Sequence, residues 1–240
     1  MTTSFYLPPE RIRNGRFSLP EEEARHAVKV LRMQAGDEVI LVDGEGGWYR
    51  GLILEVDRRS VEGTVLKSMR EVGEPSWRLT IGMALVKNRA RFETFLEKAV
   101  ELGAFRIAPI ITDRTEKDNF REERAENILI SAMKQCGRSR LTRLEMSRPL
   151  HAFLEEERFD LSLCCHESAA PDREIMNVLR SASPVETVAV LIGPEGGFTD
   201  QEIEAAARYG YEIVSLGIRR LRAETAAITA AAAISLSLGS

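Results

Sequence analysis

Two short stretches carry residue types suited to holding a small molecule beside a charged one. Leu191-Ile-Gly-Pro-Glu-Gly-Gly197 sets three glycines and a proline between an apolar run and the capping pattern Thr199-Asp-Gln-Glu202. Gly193, Gly196 and Gly197 permit backbone angles closed to other residues and let a ligand come close, while Pro194 stiffens the turn. Leu216-Gly-Ile-Arg-Arg-Leu-Arg-Ala-Glu-Thr225 lies after a second apolar run and gathers Arg219, Arg220 and Arg222 with Glu224. Arginine binds phosphate bidentately and stacks on bases, so RNA is the partner this cluster points to. Taken singly, each stretch also reads as a tight turn or a solvated charge run. Neither has the glycine spacing of a dinucleotide fingerprint or of a phosphate-cradling loop that ends in Lys-Ser/Thr.

The charge pattern extends that reading. Residues 134–148 hold Lys134, Arg138, Arg140, Arg143 and Arg148 against Glu145 alone, and the N-terminal region adds Arg11, Arg13, Arg16, Lys29 and Arg32. The whole chain of 240 residues has 33 Lys plus Arg against 37 Asp plus Glu, a formal charge of −4. That balance excludes a uniformly basic coat protein and requires local patches for any nucleic acid. Acidic segments at 21–23 and 155–157 offset the basic ones. A composition 44% hydrophobic and 29% charged argues against disorder and against a membrane protein. Cys136, Cys164 and Cys165 fit neither zinc-ligand spacing nor a disulfide framework, and there are only three histidines, His26, His151 and His166. No metal is expected, and free thiols suit a reducing cytosol. The first residues lack the apolar core of a signal peptide. The uncharged run 225–240 is short of the ~20 residues that span a bilayer. A soluble, cytoplasmic protein is expected.

These residues must be positioned by two regions of different texture. Up to about residue 70 the pattern is short strands with one helix over 21–33, which predicts a small β-barrel. The polar stretch 71–76 marks the boundary, dividing 1–72 from 73–240. Beyond it, strands at 79–86, 105–111, 161–165, 187–192 and 212–216 alternate with helices at 91–102, 125–136, 199–209 and 224–238. That order predicts an α/β domain with a mostly parallel sheet, whose ligands bind outside the carboxyl ends of the strands. Both chemistry-bearing stretches fall there.

Ile192-Gly-Pro-Glu-Gly-Gly-Phe-Thr-x-x-Glu202 and Leu216-Gly-x-Arg-x-Leu-Arg-x-Glu-Thr-Ala226 resemble the two signature motifs of the bacterial 16S ribosomal-RNA uridine-N3 methyltransferases, the RsmE family of the SPOUT superfamily. Lys98-x-x-Glu-Leu-Gly103, Gln135-Cys-Gly-Arg138 and His26-x-x-x-Val-Leu-Arg32-x-x-x-Gly-Asp37 are similar to further family stretches in the same order. Arg220 departs from the pattern, standing where the family has an aliphatic residue. The resemblance implies a PUA-like RNA-binding barrel over 1–72. It further implies a SPOUT methyltransferase domain over 73–240 with a C-terminal trefoil knot, S-adenosylmethionine as cofactor, and a homodimer acting on 16S ribosomal RNA of the small subunit.

On that footing the cofactor is expected against Ile192, Gly193, Pro194, Glu195, Gly196, Gly197, Leu216, Gly217, Ile218, Leu221, Arg222 and His166. RNA is expected against Arg11, Arg16, Lys29, Arg32, Arg114, Arg138, Arg140, Arg219 and Arg220. Uracil N3 is a poor nucleophile until its imide proton leaves, so a site must orient the donor, accept a proton and stabilise the anion. Arg222, with Arg138, is assigned to the anion. Glu224 is assigned as base with Glu195 as alternative, and Glu224 also reads as a helix N-terminal carboxylate near arginines. The rival from another class is a non-catalytic RNA-binding assembly factor on the same fold.

Overall fold

The computed structural model describes residues 4–116, 120–156, 158–182 and 184–239. Met1 to Thr3, Glu157 and Ser240, which fall in segments named above, lie outside them. The chain forms two compact units. One comprises the residues up to Glu74 together with Ile130–Leu141; the other comprises Pro75–Leu129 and the residues from Thr142 onward.

The first unit contains β1 (Ser4–Tyr6), a short 3-10 turn (Pro9–Arg11), β2 (Ile12–Arg13), β3 (Arg16–Ser18), α1 (Glu21–Lys29), β4 (Glu38–Val42), β5 (Gly47–Val56) and β6 (Val61–Arg70). They make one mixed sheet in the order β1-β4-β5-β6-β3-β2, with β1 parallel to β4 and the other pairs antiparallel. The ladder leaves β1 and β2 as free edges among the described residues, so this is an open half-barrel. Pro8 and Pro9 come soon after β1, and without N–H groups they cannot extend its pairing. Phe5, Leu7, Phe17, Leu41 and Ile53 pack on Ala24 and Ala27 of α1. Phe17 lies over Gly63, where a Cβ would come within 2.3 Å of its ring, so only glycine fits there. Helix α1 stops at Lys29, four residues earlier than the spacing predicts. Met33 N–H turns back to the Ala27 carbonyl, and Arg32 takes a left-handed φ of 55°.

The second unit has Trp77 near its start, buried and donating its indole N–H to the Gly239 carbonyl at 2.6 Å. Its elements are β7 (Arg78–Ala84), α2 (Arg89–Glu101), β8 (Ala104–Ile111), the start of α3 (Glu122–Cys136), β9 (Arg143–Leu144), β10 (Arg148–Pro149) and α4 (Leu150–Glu156). Then come β11 (Leu161–Cys165), α5 (Ile175–Ser181), β12 (Thr187–Ile192), α6 (Asp200–Arg208), β13 (Glu212–Val214) and α7 (Ala223–Leu238). The seven-stranded sheet runs β10-β8-β7-β12-β11-β13, with β9 also on β8, and every pair is parallel. Its central strands β7 and β12 are mostly apolar, as burial on both faces demands: Leu79, Ile81, Met83, Val188, Val190 and Leu191 are fully enclosed.

The placement of Ile130–Leu141 differs from a simple division at residue 72. This segment leaves α3 through Gly137 (φ 77°) and joins the β4–β5 turn, where Gly46 N–H donates to Ser139 O at 3.1 Å and Leu141 N–H to Gly44 O at 2.9 Å.

Candidate active site

Three neighbouring parallel strands end side by side, and the segments leaving their ends enclose one cavity of about 390 Å³. Cys165 and His166 come from the end of β11, residues 192–197 from the end of β12, and residues 215–217 and 219–223 from beyond β13. That volume falls in the range of small-molecule sites, and its position is where open parallel sheets take ligands.

The loop after β12 is shaped by its glycines. A Cβ at Gly193 would sit 3.0 Å from the Phe198 nitrogen and 3.1 Å from the Gly197 carbonyl carbon, so the chain doubles back too closely for any side chain. Gly197 has φ 70° and donates to the Pro194 carbonyl at 2.9 Å. The sequence-read capping box is present: Thr199 and Glu202 satisfy each other's backbone N–H groups at the start of α6. Glu195 faces the cavity, and its Oε1 accepts from the Lys87 backbone N–H at 3.1 Å. Beyond β13, the Ser215 hydroxyl accepts from Gly217 N–H at 3.1 Å, tightening a turn in which Gly217 takes φ 101°.

Arg219, Arg220 and Arg222 line this cavity and are exposed to solvent. Arg222 is the N-cap residue of α7, but its side chain makes no capping bond, which leaves the guanidinium available at the cavity. His166 also lines it. Its Nδ1 meets the Ser168 hydroxyl at 2.7 Å and lies 3.2 Å from the Ser168 N–H. Beside it, burial pushes the Cys165 thiol up to about 12 and Cys164 well above the ordinary thiol range, so neither is a thiolate nucleophile at neutral pH.

Four expected positions fall elsewhere. Ile218 is absent from the cavity wall and 97% exposed, since the turn at Gly217 directs it outward. Glu224 is not on the wall either: it sits in the first turn of α7, 13% exposed, with Oε1 3.6 Å from Arg91 Nε of α2. The arginine it faces is therefore Arg91 and not one of its sequence neighbours. Arg138 belongs to the first unit, where its guanidinium and the Glu74 carboxylate are both about 95% buried, paired at 2.7 Å. Glu74 also accepts the N–H groups of Ser139 and Arg140 at 3.0 and 2.8 Å. A guanidinium so enclosed cannot serve as a surface RNA contact or reach a substrate while that pair holds. Arg114 reaches the glycine loop, donating to the carbonyls of Gly196 and Phe198.

Of the remaining basic residues, Arg140 is half-buried against Glu71. Arg11 and Arg16 are exposed around the β2–β3 hairpin, and Lys29 and Arg32 are exposed at the end of α1. Sequence reasoning missed Cys165, Glu167, Ser215, Ala223 and Ala226 as wall residues; Ala226 was legible only as one of several small residues on α7.

Residues 73–235 match the RNA methyltransferase domain family, and residues 19–66 match the RNA methyltransferase PUA domain family. Fold and site together define an RNA methyltransferase that carries a PUA domain. The chain is 30% identical over 246 residues to the ribosomal RNA small subunit methyltransferase E of Synechocystis sp., covering 100% of this chain and 79% of that protein. Two solved structures are similar over nearly their full lengths. The ribosomal RNA small subunit methyltransferase E of Neisseria gonorrhoeae, bound to S-adenosyl methionine, is 29% identical with a TM-score of 0.87, covering 97% of this chain and 96% of that one. A Legionella pneumophila methyltransferase in complex with the cofactor SAM is 30% identical with a TM-score of 0.82, covering 98% and 97%. The chain belongs to the ribosomal RNA small subunit methyltransferase E family.

Proposed function

We propose that this enzyme transfers a methyl group from S-adenosylmethionine to uridine N3 of 16S ribosomal RNA, working as a cytoplasmic homodimer whose second domain carries a C-terminal trefoil knot. The observation that carries the reading is the cavity at the three strand ends, walled by a glycine loop and edged by arginines. The residues present fit the cofactor. The wall offers backbone close to the ligand at Gly193, apolar surface from Ile192, Leu216 and Leu221, and polar groups from Glu195 and His166. When bound there, S-adenosylmethionine supplies an electrophilic sulfonium methyl.

The chain's own residues do the rest. The backbone of Gly193 to Gly197 and of Leu216 to Leu221 holds the donor in one orientation, which removes much of the entropic barrier. Arg222 places positive charge where the uridinate oxygens develop theirs. Glu195 replaces Glu224 as the candidate proton acceptor, because it is the carboxylate of the two that faces the cavity. Oε1 takes the Lys87 N–H, which leaves Oε2 for the imide proton. Arg219 and Arg220 hold RNA phosphates at the rim, and Arg11, Arg16, Lys29 and Arg32 do so on the PUA domain. For the dimer, support comes from α7, an Ala-rich helix that leaves Leu236 84% exposed.

The test is methylation of purified small subunits with labelled cofactor, and then mapping of the modified nucleotide. Label on uracil N3 is the expected result; label on a ribose or a base carbon overturns the assignment. Sedimentation of the free enzyme as a monomer at working concentration would remove the dimer.

A further inference from the structure

The glycine loop is pinned from outside by one side chain. The peptide joining Gly196 to Gly197 has its carbonyl bound to Arg114 Nη1 at 2.6 Å and its N–H bound to the Pro194 carbonyl at 2.9 Å. The peptide joining Phe198 to Thr199 has its carbonyl bound to the same nitrogen at 3.2 Å and its N–H bound to Glu202 Oε2 at 2.8 Å. Two peptide planes, one on each side of Phe198, are thus held at both ends. The aliphatic stem of Arg114 lies against the loop as well, where a Cβ on Gly196 would stand 3.2 Å from Arg114 Cδ.

Arg114 is itself located by the loop's own helix. Asp113 N–H donates to Glu202 Oε1 at 2.9 Å, and the Thr199 hydroxyl reaches Asp113 Oδ2 at 3.4 Å. The Glu202 carboxylate therefore fastens the turn after β8 to the start of α6. From that anchorage Arg114 extends to the loop after β12, two strands away in the sheet. A loop with glycine at three of its five residues from 193 to 197 has unusual freedom to lose on binding a ligand, and fixing its shape beforehand avoids that cost.

We infer that Arg114 is a positioning residue for the methyl-donor pocket: it holds the Gly196 and Phe198 carbonyls so that the 193–198 loop keeps its receiving shape, and it does not contact RNA. This rests on the reading that the cavity takes S-adenosylmethionine. It also replaces the sequence expectation, in which a cation at this position faced nucleic acid. Both bonds come from Nη1 alone, so a lysine ammonium could keep them in part, but without the guanidinium's fixed plane.

Calorimetric titration of the full chain with S-adenosylmethionine tests the inference. Arg114→Ala is expected to weaken binding on the order of tenfold, as loss of a charged donor does, with Arg114→Lys recovering part of it. Amide exchange in the ligand-free protein should accelerate at Gly197 and Thr199 in Arg114→Ala. In steady state, KM for the cofactor should rise while KM for the small subunit holds. Wild-type cofactor affinity with a raised KM for the subunit would make Arg114 an RNA contact and overturn the inference. If the wild type binds cofactor and Arg114→Ala binds it equally well, this inference alone fails; if the wild type binds none, the cofactor reading fails with it. Should Arg114→Ala not fold, Arg114→Lys and Arg114→Gln carry the same measurements, with unchanged affinity in both counting against the role.

Discussion

At the scale of single residues, sequence neighbourhood and spatial neighbourhood diverge for the charged groups. Arg222 and Glu224 are two positions apart, yet the start of α7 places one on the cavity and turns the other to Arg91 of α2. The glycines of 193–197 were legible because their role is conformational and local. The partners of Glu224, Arg138 and Arg114 were not, because each lies far along the chain, and charge alone does not say which opposite charge it meets. With Arg222 on the wall, Arg222→Ala should lower the single-turnover methylation rate by about 100-fold, the scale of one lost electrostatic donor, with a much smaller change in cofactor affinity by calorimetry. Equal losses in both would make Arg222 a cofactor ligand. Glu195→Gln should slow methylation most at low pH, where hydroxide cannot substitute for the base, while Glu224→Gln should leave the pH–rate profile unmoved. A wild-type profile for Glu195→Gln would leave proton loss to solvent.

At the scale of elements, the main strand and helix order in the second unit was readable because segments such as β7, α2, β8 and β12 are long enough to show their period. Helices α4 and α5, seven residues each, are too short to announce themselves. The return of residues 130–141 to the first unit was hidden for a different reason. Much of it rests on contacts distant in sequence, among them those of Glu74, which gathers the Arg138 guanidinium and two backbone N–H groups from a segment more than sixty residues away. Such a pair contributes specificity more than net stability, but breaking it leaves a charge buried alone. Glu74→Ala should therefore cost about 3–5 kcal/mol in urea unfolding. A loss below about 1 kcal/mol, the scale of an exposed pair, would mean water reaches Arg138 freely. This gives Arg138, to which sequence alone assigned chemistry, a place in the architecture of the first unit.

At the scale of the whole molecule, a formal charge of −4 coexists with exposed cations at the cavity rim, on the β2–β3 hairpin and at the end of α1. Arg13 and Arg16 face each other directly across that hairpin, a like-charge pairing that opposes folding and suits a polyanion. Affinity for the small subunit should fall steeply with salt, by a slope of roughly 0.7–0.9 per phosphate contact on a double logarithmic plot. Arg13→Gln with Arg16→Gln should flatten that slope by up to about 2 while leaving calorimetric cofactor affinity unchanged. An unaltered slope would remove the hairpin from the RNA surface. The bond from Trp77 to the Gly239 carbonyl has a consequence of another kind. The chain contains two tryptophans, Trp48 on β5 and Trp77 at the threshold of β7. Each unit thus carries its own fluorophore, and Trp48→Phe would leave an emission spectrum that reports the second unit alone. Because the Trp77 indole is buried and bonded to the residue that ends α7, its emission should shift to the red when the C-terminal turn frays.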